Sequence, residues 1–206
     1  MVSMPTGRRE DQRLVTGQGR YADDLAFARV AHAVMVRSPH AHAAIKSIDT
    51  SHAKALPGVL AVLTAADMLA DGLQPIPHAT GSSKTGSDVP LAFRDGSERL
   101  ITQQWPLPLV RARFAGEAVA MVVAETPAQA EDAAEAVAID WQPLRAVVLG
   151  LDALKQDAPL LWDHIAQNRT LEAHLGDAAA TDAAFARAAH RVRLTTWVQR
   201  VTGVHM

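Results

Sequence analysis

Apolar positions gather in short runs along the chain, and their spacing switches between the strand and helix periods. Val30-Ala31-His32-Ala33-Val34-Met35-Val36-Arg37 is valine-rich and predicts a strand, which Ser38-Pro39 breaks. Ala44-Ile45-Lys46-Ser47-Ile48-Asp49 alternates apolar with polar, the period of a half-buried strand. Thr50-Ser51 offers caps for a short helix ending at Leu56-Pro57-Gly58. Val59-Leu60-Ala61-Val62-Leu63 has strand length, and Thr64 or Ala65 opens a helix to about Ala70. Glu117 to Ala124 reads as a strand. Thr126-Pro127-Ala128-Gln129 then reads as a capping box with proline at the first helical position. Ala130, Ala133, Ala134 and Val137 fall at i, i+3, i+4 and i+7, a stripe of small residues that lets a helix lie close on a sheet. Ala138-Ile139-Asp140-Trp141 leads into a last strand bounded by Pro143. Strand, helix, strand occurs twice, and short strands with few helices predict an α+β fold rather than a doubly wound sheet.

Around this framework the pattern weakens. Gly7 to Gly17 is charged and reads as a short surface helix or turn. Residues 71–98 carry Gly, Ser, Pro and Asp with little periodicity and read as a long surface excursion. Asp152 to Asn168 is irregular. A helix follows Gly176-Asp177 and runs through Phe185 to Ala189, with Ala184, Phe185, Ala188 and Ala189 on its apolar face. Val192 to Val201 reads as a strand, and with no continuation it reads as part of an incomplete structural unit.

The 206 residues are 49% apolar, but 40 of them are alanine, which leaves the larger apolar residues at roughly 30% of the chain, above the composition of disorder. A compact fold of 22.0 kDa would expose roughly 9,300 Å². Zero cysteine excludes a disulfide framework, thiolate catalysis and Cys-ligated zinc or iron–sulfur centres in this chain. Twenty basic and 22 acidic residues give a net charge of −2, so no nucleic-acid or membrane footprint is expected. The N-terminus has no apolar signal region, and a cytoplasmic location is the default expectation.

No motif makes a self-sufficient active site. Gly17-x-Gly19-x-x-Ala22 matches a dinucleotide fingerprint, but a charged segment precedes it where an apolar strand is needed, so a glycine turn is favoured. Gly81-Ser82-Ser83-Lys84-Thr85 echoes a phosphate loop without the glycine before the lysine. His40-Ala41-His42 would place both imidazoles on one side if extended, with His32 or His52 as a third metal ligand, yet it follows Ser38-Pro39 in an expected turn. Glu117 is open to three roles: general base, partner-facing ion pair, or edge-strand charge, the last favoured. Asp163-His164 suggests a hydrolase triad only in isolation, since no Gly-x-Ser-x-Gly elbow accompanies it. The residues alone therefore assign no catalytic, cofactor-binding or metal-binding position.

Several separated stretches, in order, carry a resemblance. Arg8 through Asp24 (RREDQRLVTGQGRYADD) resembles the opening of the large subunit of bacterial molybdenum hydroxylases, the xanthine dehydrogenase, aldehyde oxidase and aerobic carbon monoxide dehydrogenase family. The resemblance continues at Val36-Arg37-Ser38-Pro39-His40-Ala41-His42-Ala43, Ala55-Leu56-Pro57-Gly58-Val59, Arg113-Phe114-Ala115-Gly116-Glu117-Ala118-Val119-Ala120, Ala124-Glu125-Thr126-Pro127-Ala128-Gln129-Ala130 and Gln199-Arg200-Val201-Thr202-Gly203-Val204-His205-Met206. Ala118 stands where the family usually has proline, Trp141-Gln142-Pro143-Leu144-Arg145 replaces a commoner Tyr-Glu-Pro-Leu-Pro run, and His205 replaces a frequent proline.

The resemblance implies an N-terminal arm over 1–14, an α/β-hammerhead domain over 15–149, and over 150–206 a linker with the truncated start of the molybdopterin-binding domain. Complete members oxidatively hydroxylate a small-molecule carbon centre at a molybdenum site, with a glutamate as base, and pass electrons to 2Fe-2S and FAD on partner subunits. The resemblance places the pterin-binding loops and that glutamate beyond Met206, so this chain is expected to bind no cofactor alone. Its expected partners are the remainder of the molybdopterin-binding subunit and the iron–sulfur and FAD subunits. An exposed apolar face is expected where the molybdenum domain would sit. The alternative is an orphan truncated hammerhead domain with a structural or binding role.

Overall fold

A computed structural model describes residues 8–25, 27–76, 93, 95–97, 100–172 and 176–198. The chain divides into two compact units, Met1–Pro77 with Thr102–Asn168, and His78–Ile101 with Arg169–Met206. The phosphate-loop echo at Gly81–Thr85, most of the expected surface excursion, and the closing residues 199–206 lie outside the described residues.

The first unit holds two three-stranded sheets. Strands β1 (His32–Arg37), β5 (Ala118–Ala124) and β3 (Val59–Thr64) form one in the order β1-β5-β3, all pairs antiparallel. Strands β4 (Arg111–Ala112), β2 (Ala43–Asp49) and β6 (Ala138–Pro143) form the other in the order β4-β2-β6, again antiparallel. This is the mixed helix-and-sheet architecture expected from the pattern. β5 lies between two neighbours and is apolar along its whole length; Val119, Ala120, Val122 and Ala124 are fully buried, and Ala118, Met121 and Val123 are half-buried. The strand β4 is two residues long and carries no period by which to recognise it.

Helix α4 (Pro127–Glu135) packs on β1, β5 and β3. Thr126 caps it: the Gln129 amide donates to Thr126 Oγ1 at 3.3 Å, and that hydroxyl donates to Gln129 Oε1 at 2.9 Å. Ala130 and Ala133 have no exposed surface, so the helix backbone comes down onto the sheet at the alanine stripe. Ala53 of α2 (Ser51–Ala55) meets Val62, Val122, Ala133 and Val137 in the core, and Ile48 and Ile139 bring the second sheet against the same cluster. Burying a valine such as Val62 or Val122 stabilises the fold by about 1.5–3 kcal/mol. A second cluster joins Ala65 and Met68 of α3 (Ala65–Ala70) to Leu107. Asp67 starts α3 by accepting from the Thr64 hydroxyl and the Thr64 amide, both at 2.7 Å, and these bonds hold its carboxyl below the ordinary range.

Gly17 and Gly19 belong to no nucleotide fold. Helix α1 (Asp11–Val15) precedes them where the fingerprint needs a strand. Gly17, at φ +70°, closes that helix, with its own amide donating to the Leu14 carbonyl at 3.2 Å and the Gln18 amide to the Arg13 carbonyl at 2.7 Å.

In the second unit, Arg169 lies over the Phe93 ring at 5.6 Å, and the Leu100 amide donates to the Thr170 carbonyl at 2.7 Å. Its helix α6 (Ala178–Arg187) is capped by Asp177, which accepts from the Ala180 amide at 2.8 Å. The expected apolar face of α6 is not buried: none of its residues is, and Phe185 stands exposed. The expected strand from Val192 is also not formed over 192–198.

One position tests the helix seat. Gly58 has φ +77°, and a Cβ there would run into the end of the flexible Gln129 side chain, which must move aside and give up its bond from the Thr126 hydroxyl. Gly58→Ala is expected to lower stability by about 1–3 kcal/mol in urea unfolding, chiefly from left-handed strain.

Candidate functional site

The residues that carry chemistry in the first unit meet where the chain passes from one sheet to the other. β4 ends at Ala112 in the second sheet and β5 begins at Ala118 in the first, so residues 113–117 must turn between them. Gly116 takes φ +88°, and the Glu117 amide donates to the Phe114 carbonyl at 3.2 Å. The chain makes the opposite passage at 38–42, from β1 to β2, and the two turns are bonded together. The Gly116 amide donates to the Ser38 carbonyl at 2.8 Å, the Ser38 amide to the Glu117 carbonyl at 2.9 Å, and Arg37 Nη1 to the Gly116 carbonyl at 2.8 Å.

Glu117 is neither free nor exposed. Its Oε2 accepts the Arg113 backbone amide at 2.5 Å, so the carboxylate closes the turn it belongs to. The Arg113 side chain reaches the irregular segment after β6: Nε donates to the Leu161 carbonyl at 3.1 Å, Nη1 to the Arg111 carbonyl at 3.3 Å, and the guanidinium lies 4.8 Å over the Trp162 ring. Burial lowers the Arg113 pKa, and the Glu117 charge works against that shift. Trp162 came from an apolar Leu-Leu-Trp run with no period, and its pairing with Arg113 has no signature in the sequence. The result is a cleft of about 500 Å³ walled by Trp105, Phe114, Leu161 and Trp162, with Arg37, Arg113 and Glu117 at its polar side.

The other sequence candidates are spread apart or already engaged. His42 is buried, with Nδ1 donating to the Arg145 carbonyl at 2.9 Å, while His40 sets its ring edge-on to Trp141 at 5.6 Å between centroids. The two imidazoles therefore serve different neighbours. His32 pairs with Ala124 at the far end of β1, and His52 is exposed on α2. Among the described residues no three His, Asp or Glu side chains are grouped to hold a metal ion. Asp163 accepts from Arg111 Nη1 at 3.1 Å, an ion pair on the surface, and the neighbouring His164 is exposed. Chemically, the cleft offers apolar walls and committed polar groups rather than a nucleophile beside a base.

Residues 16–145 match the family described as aldehyde oxidase and xanthine dehydrogenase, a/b hammerhead domain. The chain belongs to that family. It is 39% identical over 193 residues to the carbon monoxide dehydrogenase large chain of Afipia carboxidovorans, a match covering 88% of this chain and 21% of that protein. It is 38% identical over 144 residues to a putative xanthine dehydrogenase molybdenum-binding subunit of Escherichia coli, covering 70% of this chain and 17% of that one. Reconstituted CO dehydrogenase from Oligotropha carboxidovorans has the same fold, with a TM-score of 0.72 at 36% identity over 91% of this chain and 22% of that one. The hammerhead chain thus spans about a fifth of the length of the curated relatives it matches, and it covers their N-terminal portion.

Of the cations at the cleft, Arg37 gives Nη1 to the Gly116 carbonyl, and Arg113 gives Nε and Nη1 to the Leu161 and Arg111 carbonyls, so part of each guanidinium is already spent on this chain.

Glu117 discriminates architecture from chemistry. Glu117→Ala is expected to cost about 1–3 kcal/mol, because the Arg113 amide loses its acceptor, whereas Glu117→Gln keeps an oxygen there and costs less. Chemical denaturation of the three proteins checks this order, and equal stabilities would contradict it.

Proposed function

We propose that this chain is the N-terminal part of a molybdenum hydroxylase large subunit and supports oxidative hydroxylation of a small-molecule carbon centre at a site completed by other polypeptide. The observation that carries this reading is the match itself, 36–39% identical along about nine-tenths of the chain to carbon monoxide dehydrogenase large chains and structures. The cleft supports it from the opposite direction. Its arginines and glutamate are bonded to backbone atoms of the chain itself. In this reading residues 15–149 are the hammerhead, and 150–206 are the linker and opening of the molybdopterin-binding domain. Iron–sulfur and FAD polypeptides complete the electron path. Among the described residues no helix is long and apolar enough to cross a membrane, in keeping with partners met in solution.

The test uses the N-terminally tagged chain, purified gently from its native host. Molybdenum, iron and the masses of co-purifying chains are measured, followed by dye reduction with candidate substrates. The expected result is molybdenum and iron with companion polypeptides, and no turnover by the 22.0 kDa chain once separated. A lone, metal-free chain would instead mark an orphan hammerhead domain. Sustained substrate-dependent dye reduction by the pure chain would contradict the division of labour.

A further inference from the structure

The face of the first sheet opposite α4 carries a small apolar pocket. Val36, Val62 and Val122 pack in the core with Ala133 of α4, so the residues adjoining them, Met35, Leu63 and Met121, point to the other face. These three stand side by side, because Met121 pairs with Met35 of β1 and with Leu63 of β3. Met68 of α3, 4% exposed, and Leu107 pack together beside the row and wall the same pocket. The cavity between them is about 160 Å³. All three methionines among the described residues line it. An apolar cavity of about 150 Å³ stays dry and takes one benzene ring. Thioether sulfur is polarizable, its side chain adapts to a guest, and it favours the edge of an aromatic ring.

The charge beside this pocket has one sign. Asp67 of α3 and Asp71 at its C-terminal cap both line the pocket, and among the described residues no lysine or arginine does. The two bonds from Thr64 hold the Asp67 carboxyl below the ordinary range, so it is ionised at neutral pH, and Lys54 acts on it from outside the lining. Asp71 is exposed at the rim, and among the described residues its carboxylate makes no hydrogen bond or ion pair. Two carboxylates beside apolar walls attract a cation and repel an anion. We propose that the pocket binds a single aromatic ring carrying a protonated amine, with the ring among Met35, Met68 and Met121 and the ammonium group at Asp71. This ligand site shares Pro106 alone with the cleft at the sheet crossing, and it requires nothing of the proposed function.

The full chain, labelled with carbon-13 at its methionine methyl groups, reads the pocket directly by NMR. Benzylamine, toluene and benzoate are the probes. Benzylamine and toluene are expected to shift the Met35, Met68 and Met121 signals by ring current, and benzoate to bind about tenfold more weakly than benzylamine or less. Asp71→Asn should bring benzylamine down to the affinity of toluene and leave toluene unchanged. Leu73→Trp, at the exposed edge of the lining, should fill the pocket and abolish the response to both, with the circular dichroism of the chain unaltered. Methionine signals that no probe moves overturn the site. Benzoate binding as tightly as benzylamine, or benzylamine binding that survives Asp71→Asn, overturns the assignment of the amine. Loss of the response in the complex recovered through its tag assigns the pocket to packing between polypeptides and overturns it as a ligand site.

Discussion

Two peptide hydrogen bonds at Ser38 tie together the two crossings that carry the chain between the sheets, beside the core where Ile48 and Ile139 meet the first sheet. The chain leaves β1 for β2 at residues 38–42 and leaves β4 for β5 at 113–117, and each passage carries it from one sheet to the other. At both passages the backbone gives up its ladder partners and must find others. It finds them in each other: Ser38 donates to Glu117 and accepts from Gly116. Ser38 is 3% exposed, so these bonds have no water to replace them. The Glu117 carboxylate on the Arg113 amide, the Arg37 side chain on Gly116 and the Arg113 side chain on Leu161 are successive layers around the same crossing.

Several of the most reactive-looking residues of the chain are engaged in this crossing. A carboxylate, two guanidinium groups and two tryptophans beside a cleft would suggest a catalytic pocket if read as an inventory. Bond by bond, Glu117 and Arg37 satisfy backbone atoms of the sheet crossing, and Arg113 reaches from it to the Leu161 carbonyl of the segment after β6.

The parts legible in the sequence were those where local period and tertiary burial agree. The run from Glu117 to Ala124 and the stripe of Ala130, Ala133, Ala134 and Val137 foretold β5 and α4, because each has the period of its element along its whole length and the helix packs on the strand it follows. The strand β4 escaped notice because two residues have no period, although Arg111 and Ala112 form the edge of a sheet through β2. Trp162 over Arg113 escaped for a different reason: contacts between irregular segments distant in sequence leave no local trace. The opposite case is Val192–Val198, where the sequence has a strand pattern but, among the described residues, no strand forms. Local pattern states a preference, and a strand forms only where a second strand is supplied.

The central claim is that the Ser38 crossing is as stable as the core it joins, and native-state hydrogen exchange measures that residue by residue. The amides of Ser38 and Gly116 are predicted to exchange only through the opening that also releases Val122 in the middle of β5, with the same free energy and the same denaturant dependence. Exchange of Ser38 and Gly116 through a local, denaturant-insensitive opening while Val122 stays protected would show that the two sheets are held by something else.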